Sequence, residues 1–353
     1  MASIDINSAR LEGDRRHLGR VLCIWLALLL LTVSLLSLGH GASGISAPAI
    51  VADWLTGQQV ETTDRVILLN IRLPRLLTGI LVGAALAVSG AIMQGLFRNP
   101  LADPGLLGVS AGASLGAISA IVLGGMLPWA IGGWYLVPIA AFAGSWLAMF
   151  TLYGIATRQG RTSVATMLLA GIALAAMISA IGGLIIYRAN DQQLRDLTFW
   201  GLGSLAGSSW TKLAAAGPVI AIALLLAPRL ATGLNGLALG ESAAAHVGIR
   251  VQRMKTASIL ITAAATGAAV AISGGIGFVG IIVPHLLRLI SGPDHRWLLV
   301  NAALLGAVTL LIADMISRSV VAPAELPIGI ITAMIGGPFF MWVLLSNRRM
   351  LDG

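Results

Sequence analysis

Apolar residues in this chain come in long blocks, and the polar residues gather in the short gaps between them. The blocks cover approximately residues 19–38, 74–96, 106–125, 136–157, 163–187, 211–228, 256–273, 276–291, 298–316 and 327–346. Most reach the roughly 20 residues that a helix needs to cross a hydrocarbon core of about 30 Å. Short alternating segments, the mark of a membrane β-barrel, are missing. The pattern predicts an all-α polytopic membrane protein with ten transmembrane helices. Residues 21–38 resemble a signal peptide in length, but no small-residue cleavage pattern follows, so they are read as the first span.

Composition sharpens this picture. Of 353 residues, 57% are hydrophobic and only 10% charged, with a mean hydropathy of +0.92, whereas soluble domains carry about 25% charged residues. The 43 glycines suit close helix approach, as in Gly79-x-x-x-Gly83 and the series Gly108, Gly112, Gly116. The net charge of +8 fits basic loops that set topology better than nucleic-acid binding. With ten spans, fifteen of the 22 Lys and Arg residues fall on the side of both termini and seven on the other. That asymmetry predicts cytoplasmic termini: a cytoplasmic segment 1–18, one membrane domain over 19–346 and a cytoplasmic tail 347–353. A single cysteine, Cys23, excludes an intrachain disulfide.

Two gaps are long. Residues 39–73 are expected outside. Residues 229–255, RLATGLNGLALGESAAAHVGIRVQRMK, are expected inside as one or two short helices along the membrane, because Leu234, Leu237, Leu239 and Val247 give a linker-like stretch too many apolar positions. Exposed apolar positions on such a helix make a docking surface.

Candidate chemistry is sparse. Gly275-x-Gly277-x-x-Gly280 matches the dinucleotide fingerprint in form but lacks its strand and its acidic residue, so helix packing explains it better. There is no P-loop, H-E-x-x-H or G-x-S-x-G motif, and the five histidines have no metal-ligand spacing. The carboxylates sit in loops or near span ends, which argues against a proton-driven pump and for a conduit powered by another subunit. Arg72, Arg75 and Arg318 stand at external span ends. They either meet carboxylates of an external protein or pair within the chain, as Asp314 and Arg318 would at i,i+4. Arg195, in DQQLRDLTFWGLGS, is either part of a solvated loop or a cation at a pore mouth that attracts anionic cargo.

Four segments together resemble the FecCD-type permeases of binding-protein-dependent ABC importers for iron–siderophore, haem and cobalamin. They are IRLPRLLTGILVGAALAVSGAIMQGLFRNPLADPGLLGVSAGA (71–113), LGESAAAHVGI (239–249), SGGIGFVGIIVPHLLRLISGPDHR (273–296) and ADMISRSVVAPAELPIGIITAMIGGPFFMWVLL (313–345). The resemblance implies a type II importer permease in the bacterial inner membrane, a homodimer of this chain, two separate ATPase subunits and a periplasmic binding protein. It implies no resident cofactor or metal and no catalysis by this chain, since ATP is hydrolysed on the partner. By the same resemblance, Asn99, Pro100 and Leu101 form a cytoplasmic gate, and Gly240, Glu241, Ala244 and Gly248 belong to the helix that enters the ATPase. Arg72, Arg75 and Arg318 face the binding protein, and Arg195 and Trp200 lie by the outer mouth. The PLADP-turn version is closest to haem permeases, with ferric siderophore or cobalamin as alternative cargo. A self-powered secondary transporter is the remaining alternative class.

Overall fold

The computed structural model describes residues 16–39, 62–126 and 133–346. Most of the expected N-terminal segment, residues 40–61 of the first long gap with Asp53, Trp54 and Glu61, and the tail 347–353 lie outside the described residues. The described residues of the chain are almost all helical. Its helices are α1 (Arg16–Gly39), α2 (Leu73–Phe97), α3 (Val109–Leu123), α4 (Gly133–Ala156), α5 (Val164–Ile186), α6 (Asp191–Leu202), α7 (Trp210–Leu226), α8 (Ala231–Ala238), α9 (Glu241–His246), α10 (Val251–Ser273), α11 (Val279–Ser291), α12 (His295–Ser319) and α13 (Ile328–Ser346). Among the described residues the only strand pairing joins Thr157–Arg158 to Arg161–Thr162 across a Gln159–Gly160 turn.

Each of the ten expected spans has a helix in its place. Among the described residues, seven helical stretches are long and apolar enough to cross a membrane, and three shorter apolar helices occupy the third, eighth and tenth positions. At 1.5 Å per residue, the 15 residues of α3 and the 13 of α11 rise only about 20 Å. Both are shortened by glycine and proline. Pro104–Leu107 form a 3-10 turn, and Gly108, with φ of +68°, turns the chain into α3. Before α11 the segment 274–278 is irregular, with Gly274 and Ile276 buried, and the backbone in and beside it is bonded: the Gly275 N–H reaches the Trp200 carbonyl and the Ser204 N–H reaches the Ser273 carbonyl. Non-helical backbone inside a membrane protein survives where such partners exist. Gly275 and Gly280 pack closely, against the Gly201 and Leu86 carbonyls, whereas Gly277 faces open space. A helix, α10, and not a strand precedes them.

The structure corrects the sequence reading in three places. The second span was expected to begin at Pro74, but helical geometry starts at Thr62 and runs through a π-helical stretch, Ile67–Arg72, before α2. Proline supplies no N–H to the preceding turn, and the coil is widened there. The seventh span starts at Val251, not at residue 256, because Gln252 and Lys255 find partners inside the chain, in the Thr162 backbone and Glu241. The stretch around Arg195 is the helix α6, opened by a capping box between Asn190 and Gln193.

At the centre stands α2, buried along nearly its whole length and packed against α7, α10, α11 and α12. Its register with α12 is set by a glycine pair. A Cβ built on Gly83 would lie 2.4 Å from the Gly306 carbonyl oxygen, and one built on Gly306 would lie 2.4 Å from the Gly83 oxygen. The two backbones therefore touch, as small residues permit. On the outside, α1, α4 and α5 expose Trp25, Ile139, Leu169 and Leu184, apolar faces that suit lipid or a second copy.

Candidate functional site

The chain's polar chemistry collects at the two ends of the bundle. At the end where α2 begins, the three predicted docking arginines converge. Arg75 is buried; its Nε and Nη2 donate to Asp314 Oδ1 at 3.0 and 2.8 Å, and its Nη1 and Nη2 donate to the two oxygens of Glu325 at 2.9 Å each. Arg318 Nη2 reaches Asp314 Oδ2 at 3.0 Å and Ser37 Oγ at 3.0 Å. Arg72 donates to the Leu38 carbonyl. The cluster thus ties α1, α2, α12 and the segment before α13 together, and it forms the internal pairing that the sequence left as the alternative to external carboxylates.

At the opposite end, α2 closes on Arg98, a left-handed residue with φ of +50°. Asn99 then folds the turn on itself: its Oδ1 accepts the Leu101 N–H at 2.9 Å and its carbonyl accepts the Ala102 N–H at 3.1 Å, an Asx-turn. Asp103 repeats the device by accepting the Gly105 N–H at 2.8 Å. Asn99 and Pro100 are exposed and Leu101 is half-buried, so the predicted gate residues form a stiff knuckle at the bundle end. Behind the knuckle, Asp103 shares a cavity of about 180 Å³ with Ser110, Thr266 and Gly280. Burial pushes its carboxyl above the usual range, opposed by the Gly105 N–H.

The segment 229–255 lies at this same end as two short helices, α8 and α9. Gly240, with φ of +104°, separates them, and Gly248, with φ of +86°, ends α9. Ala244 is fully buried with Leu234 and Leu237, whereas Leu239 and Val247 are 74% and 69% exposed. Of four apolar positions, two anchor the segment and two project from it. Glu241 Oε1 meets Lys255 Nζ at 2.7 Å, and Lys255 also donates to the Thr162 carbonyl at 2.9 Å. A Cβ on Gly240 would stand 3.9 Å from Arg98 Nη1, so the knuckle and α9 are neighbours.

Arg195 and Trp200 share α6 but are not brought together. Arg195 is exposed and donates to Gln192 Oε1 at 2.7 Å. Trp200 packs inward near Val270 and Ala271. Among the described residues no cluster of His, Cys, Asp or Glu is arranged to hold a metal ion.

This arrangement of long and short helices has counterparts in known proteins. The sequence model described as the FecCD transport family matches residues 28–346. The chain belongs to the FecCD transport family. Among relatives of this FecCD chain, the hemin transport system permease protein HmuU of Yersinia pestis is 45% identical over 332 residues, covering 94% of this chain and 98% of that one. The cobalamin import system permease protein BtuC of Halobacterium salinarum is 42% identical, covering 87% and 81%. A solved structure of a metal-chelate type ABC transporter in an inward-facing conformation aligns with a TM-score of 0.81 at 32% identity, over 93% of this chain and 99% of that one.

Several residues of the FecCD chain that the motifs did not single out carry the ends of the bundle. Lys255 and Thr162 hold α9. Asn235 of α8 donates to Asp294 Oδ1 at 2.6 Å and accepts the His295 N–H at 2.9 Å, latching the second long gap to the start of α12. Gln94 bridges α2 to α11 through Arg288 and the Gly280 carbonyl. Their sequence signal is weak: each is a lone polar residue within an apolar block or beside one.

Proposed function

We propose that this chain is the permease subunit of an ATP-driven ABC importer that takes up hemin handed over by a periplasmic binding protein, in a bacterial inner membrane. The observation that carries the reading is the 45% identity with the hemin permease, which runs nearly end to end along both chains. Cobalamin is the second cargo reading, carried by the next relatives. ATP is consumed by two separate ATPase subunits, haem is cargo and not a resident group, and two copies of this chain enclose the path.

In this reading both termini are cytoplasmic and residues 19–346 form one permease domain. The arginine cluster and α6 face outward; the Asn99–Leu101 knuckle and α9 face inward. Exposed Leu239 and Val247 enter the ATPase, with Gly240 and Gly248 as hinges and Ala244 as the buried pivot. The Glu241–Lys255 pair passes a displacement of α9 to α10, and contact with Arg98 passes it to the gate residues Asn99, Pro100 and Leu101. Arg195, exposed on α6, draws the hemin propionates toward the outer mouth beside Trp200. Docking on Arg72, Arg75 and Arg318 proceeds by exchange: a carboxylate of the binding protein displaces Glu325, whose side chain is 35% exposed, while Asp314 stays in place.

The test is uptake into proteoliposomes holding this chain, its ATPase and its binding protein, comparing hemin, a ferric siderophore and cobalamin. Hemin uptake that requires ATP supports the reading. Transport of another cargo with hemin excluded overturns the cargo, and uphill accumulation without any ATPase overturns the ABC assignment.

A further inference from the structure

Between α4, α6, α7 and α10 lies a cavity of about 540 Å³ whose lining includes Asp196, Trp200, Ser204 and Lys212. It shares Pro138, Ala271 and Ile272 with a second cavity of about 190 Å³ that is lined only by apolar residues, among them Phe142, Ala215 and Val219. The composition explains the space. Pro138 removes a hydrogen bond within α4, and Ala215, Ala216, Ala268 and Ala271 leave a channel between α7 and α10 that larger side chains would fill.

We propose that these joined cavities bind one phospholipid with a zwitterionic, primary-ammonium headgroup, its phosphate on Lys212, its ammonium on Asp196 and an acyl chain in the groove. An amphiphile matches the layout: opposite charges at the mouth and hydrocarbon beyond. Lys212 Nζ uses one of its three donors on the Gly207 carbonyl at 2.8 Å, which leaves donors for a phosphate. One Asp196 oxygen accepts from Gln192 Nε2 at 3.0 Å, and a carboxylate has further acceptor sites for an ammonium. Tyr135, Phe199 and Trp210 are exposed at this end of the bundle, the residue types of the headgroup belt. Next to the groove, Ile139 and Ile222 are exposed, as residues facing acyl chains are. An anionic glycerol headgroup gives Asp196 no counter-ion, and a quaternary ammonium cannot donate it a hydrogen bond. The inference needs only the membrane setting and is independent of the cargo.

The experiment is native mass spectrometry of the delipidated chain exposed to phosphatidylethanolamine, phosphatidylglycerol or phosphatidylcholine of matched chains. The expected result is one retained phosphatidylethanolamine, favoured about tenfold over the others, the effect of one charge-assisted hydrogen bond. Asp196→Asn removes that preference, Lys212→Met lowers retention of all three lipids, Ala215→Phe abolishes retention, and free glycerophosphoethanolamine does not compete. A photoactivatable acyl chain on the unmodified protein labels α4 and α7, which keeps the test open should a variant misfold. Equal retention of the three lipids, preference for phosphatidylglycerol, retention unchanged in Lys212→Met, or labelling elsewhere overturns the proposal.

Discussion

Removing Asp314 tests whether the arginine cluster holds the bundle together. Its side chain is 1% exposed and receives Arg75 and Arg318 at 2.8 and 3.0 Å. At an effective dielectric of about 20, each pair at about 3 Å is worth about 5–6 kcal/mol of attraction, against a desolvation cost of several kcal/mol per ion. Asp314→Ala deletes both attractions and keeps both desolvated guanidinium groups, with Glu325 left to Arg75. Breaking a buried pair from one side costs about 3–5 kcal/mol, and that is the loss expected. Asp314→Asn keeps an acceptor and costs less, about 1–3 kcal/mol. Unfolding by SDS in mixed micelles, without any binding protein, measures both. Arg75→Leu combined with Asp314→Leu removes both charges of one pair, while Arg318 and Glu325 keep theirs, and the double variant is less destabilised than the two single losses added, with a coupling of about 2–3 kcal/mol. Additive losses, or an Asp314→Ala variant within about 1 kcal/mol of the parent, would refute the clamp. A cluster serving external docking alone leaves micellar unfolding unchanged and lowers only the ATP hydrolysis stimulated by the binding protein.

Gly83→Val forces α2 away from the Gly306 backbone and costs about 3 kcal/mol or more, read in the same micellar assay; a neutral result removes the glycine contact from the account. Burial raises the Asp103 carboxyl in the folded chain, so the native state holds that proton more tightly than the unfolded one, and stability falls as pH rises from about 4 through the raised folded value. Asp103→Asn keeps the acceptor for Gly105 and flattens that slope, leaving the variant the more stable at neutral pH; parallel stability profiles between pH 4 and 8 would contradict this. Trp at Leu101, or Gly at Asn99, alters the knuckle without touching the ATPase, and the expected outcome is ATP hydrolysis that persists while cargo transport drops severalfold. Normal coupling in both variants rules out the gate.

Much of the fold was legible because a membrane span announces itself by hydropathy over twenty residues. The fifth span, expected at 163–187, is Val164–Ile186, and the ninth, expected at 298–316, is His295–Ser319. The errors share one cause. Where a helix carries polar residues that find partners inside the chain, hydropathy cuts it short. The first turn of α10 was read as loop because of Arg253 and Lys255, yet Lys255 is 2% exposed, its charge met by Glu241. α6 was missed because it is too polar to be a span, though Asn190 and Gln193 spell its capping box.

The site was less legible, for a reason that bears on how the protein works. Arg75 meets residues 239 and 250 positions away, Lys255 meets Thr162 93 positions away, and Asn235 meets Asp294 59 positions away. No spacing rule in one sequence pairs such residues; packing of α2 against α10, α11 and α12 does. Each pairing fastens a short or irregular segment to a long buried helix. Glu241 and Asn235 fasten α9 and α8 to α10 and α12, while Glu325 fastens the approach to α13 to α2. Glu241–Lys255 and the approach of Gly240 to Arg98, at the root of the Asn99–Leu101 knuckle, thus join α9 to the core rather than leaving it on a slack loop. Under the proposed function, the motif supplies the surface that the ATPase grips, and the lone polar residues it omits decide whether that grip moves the bundle.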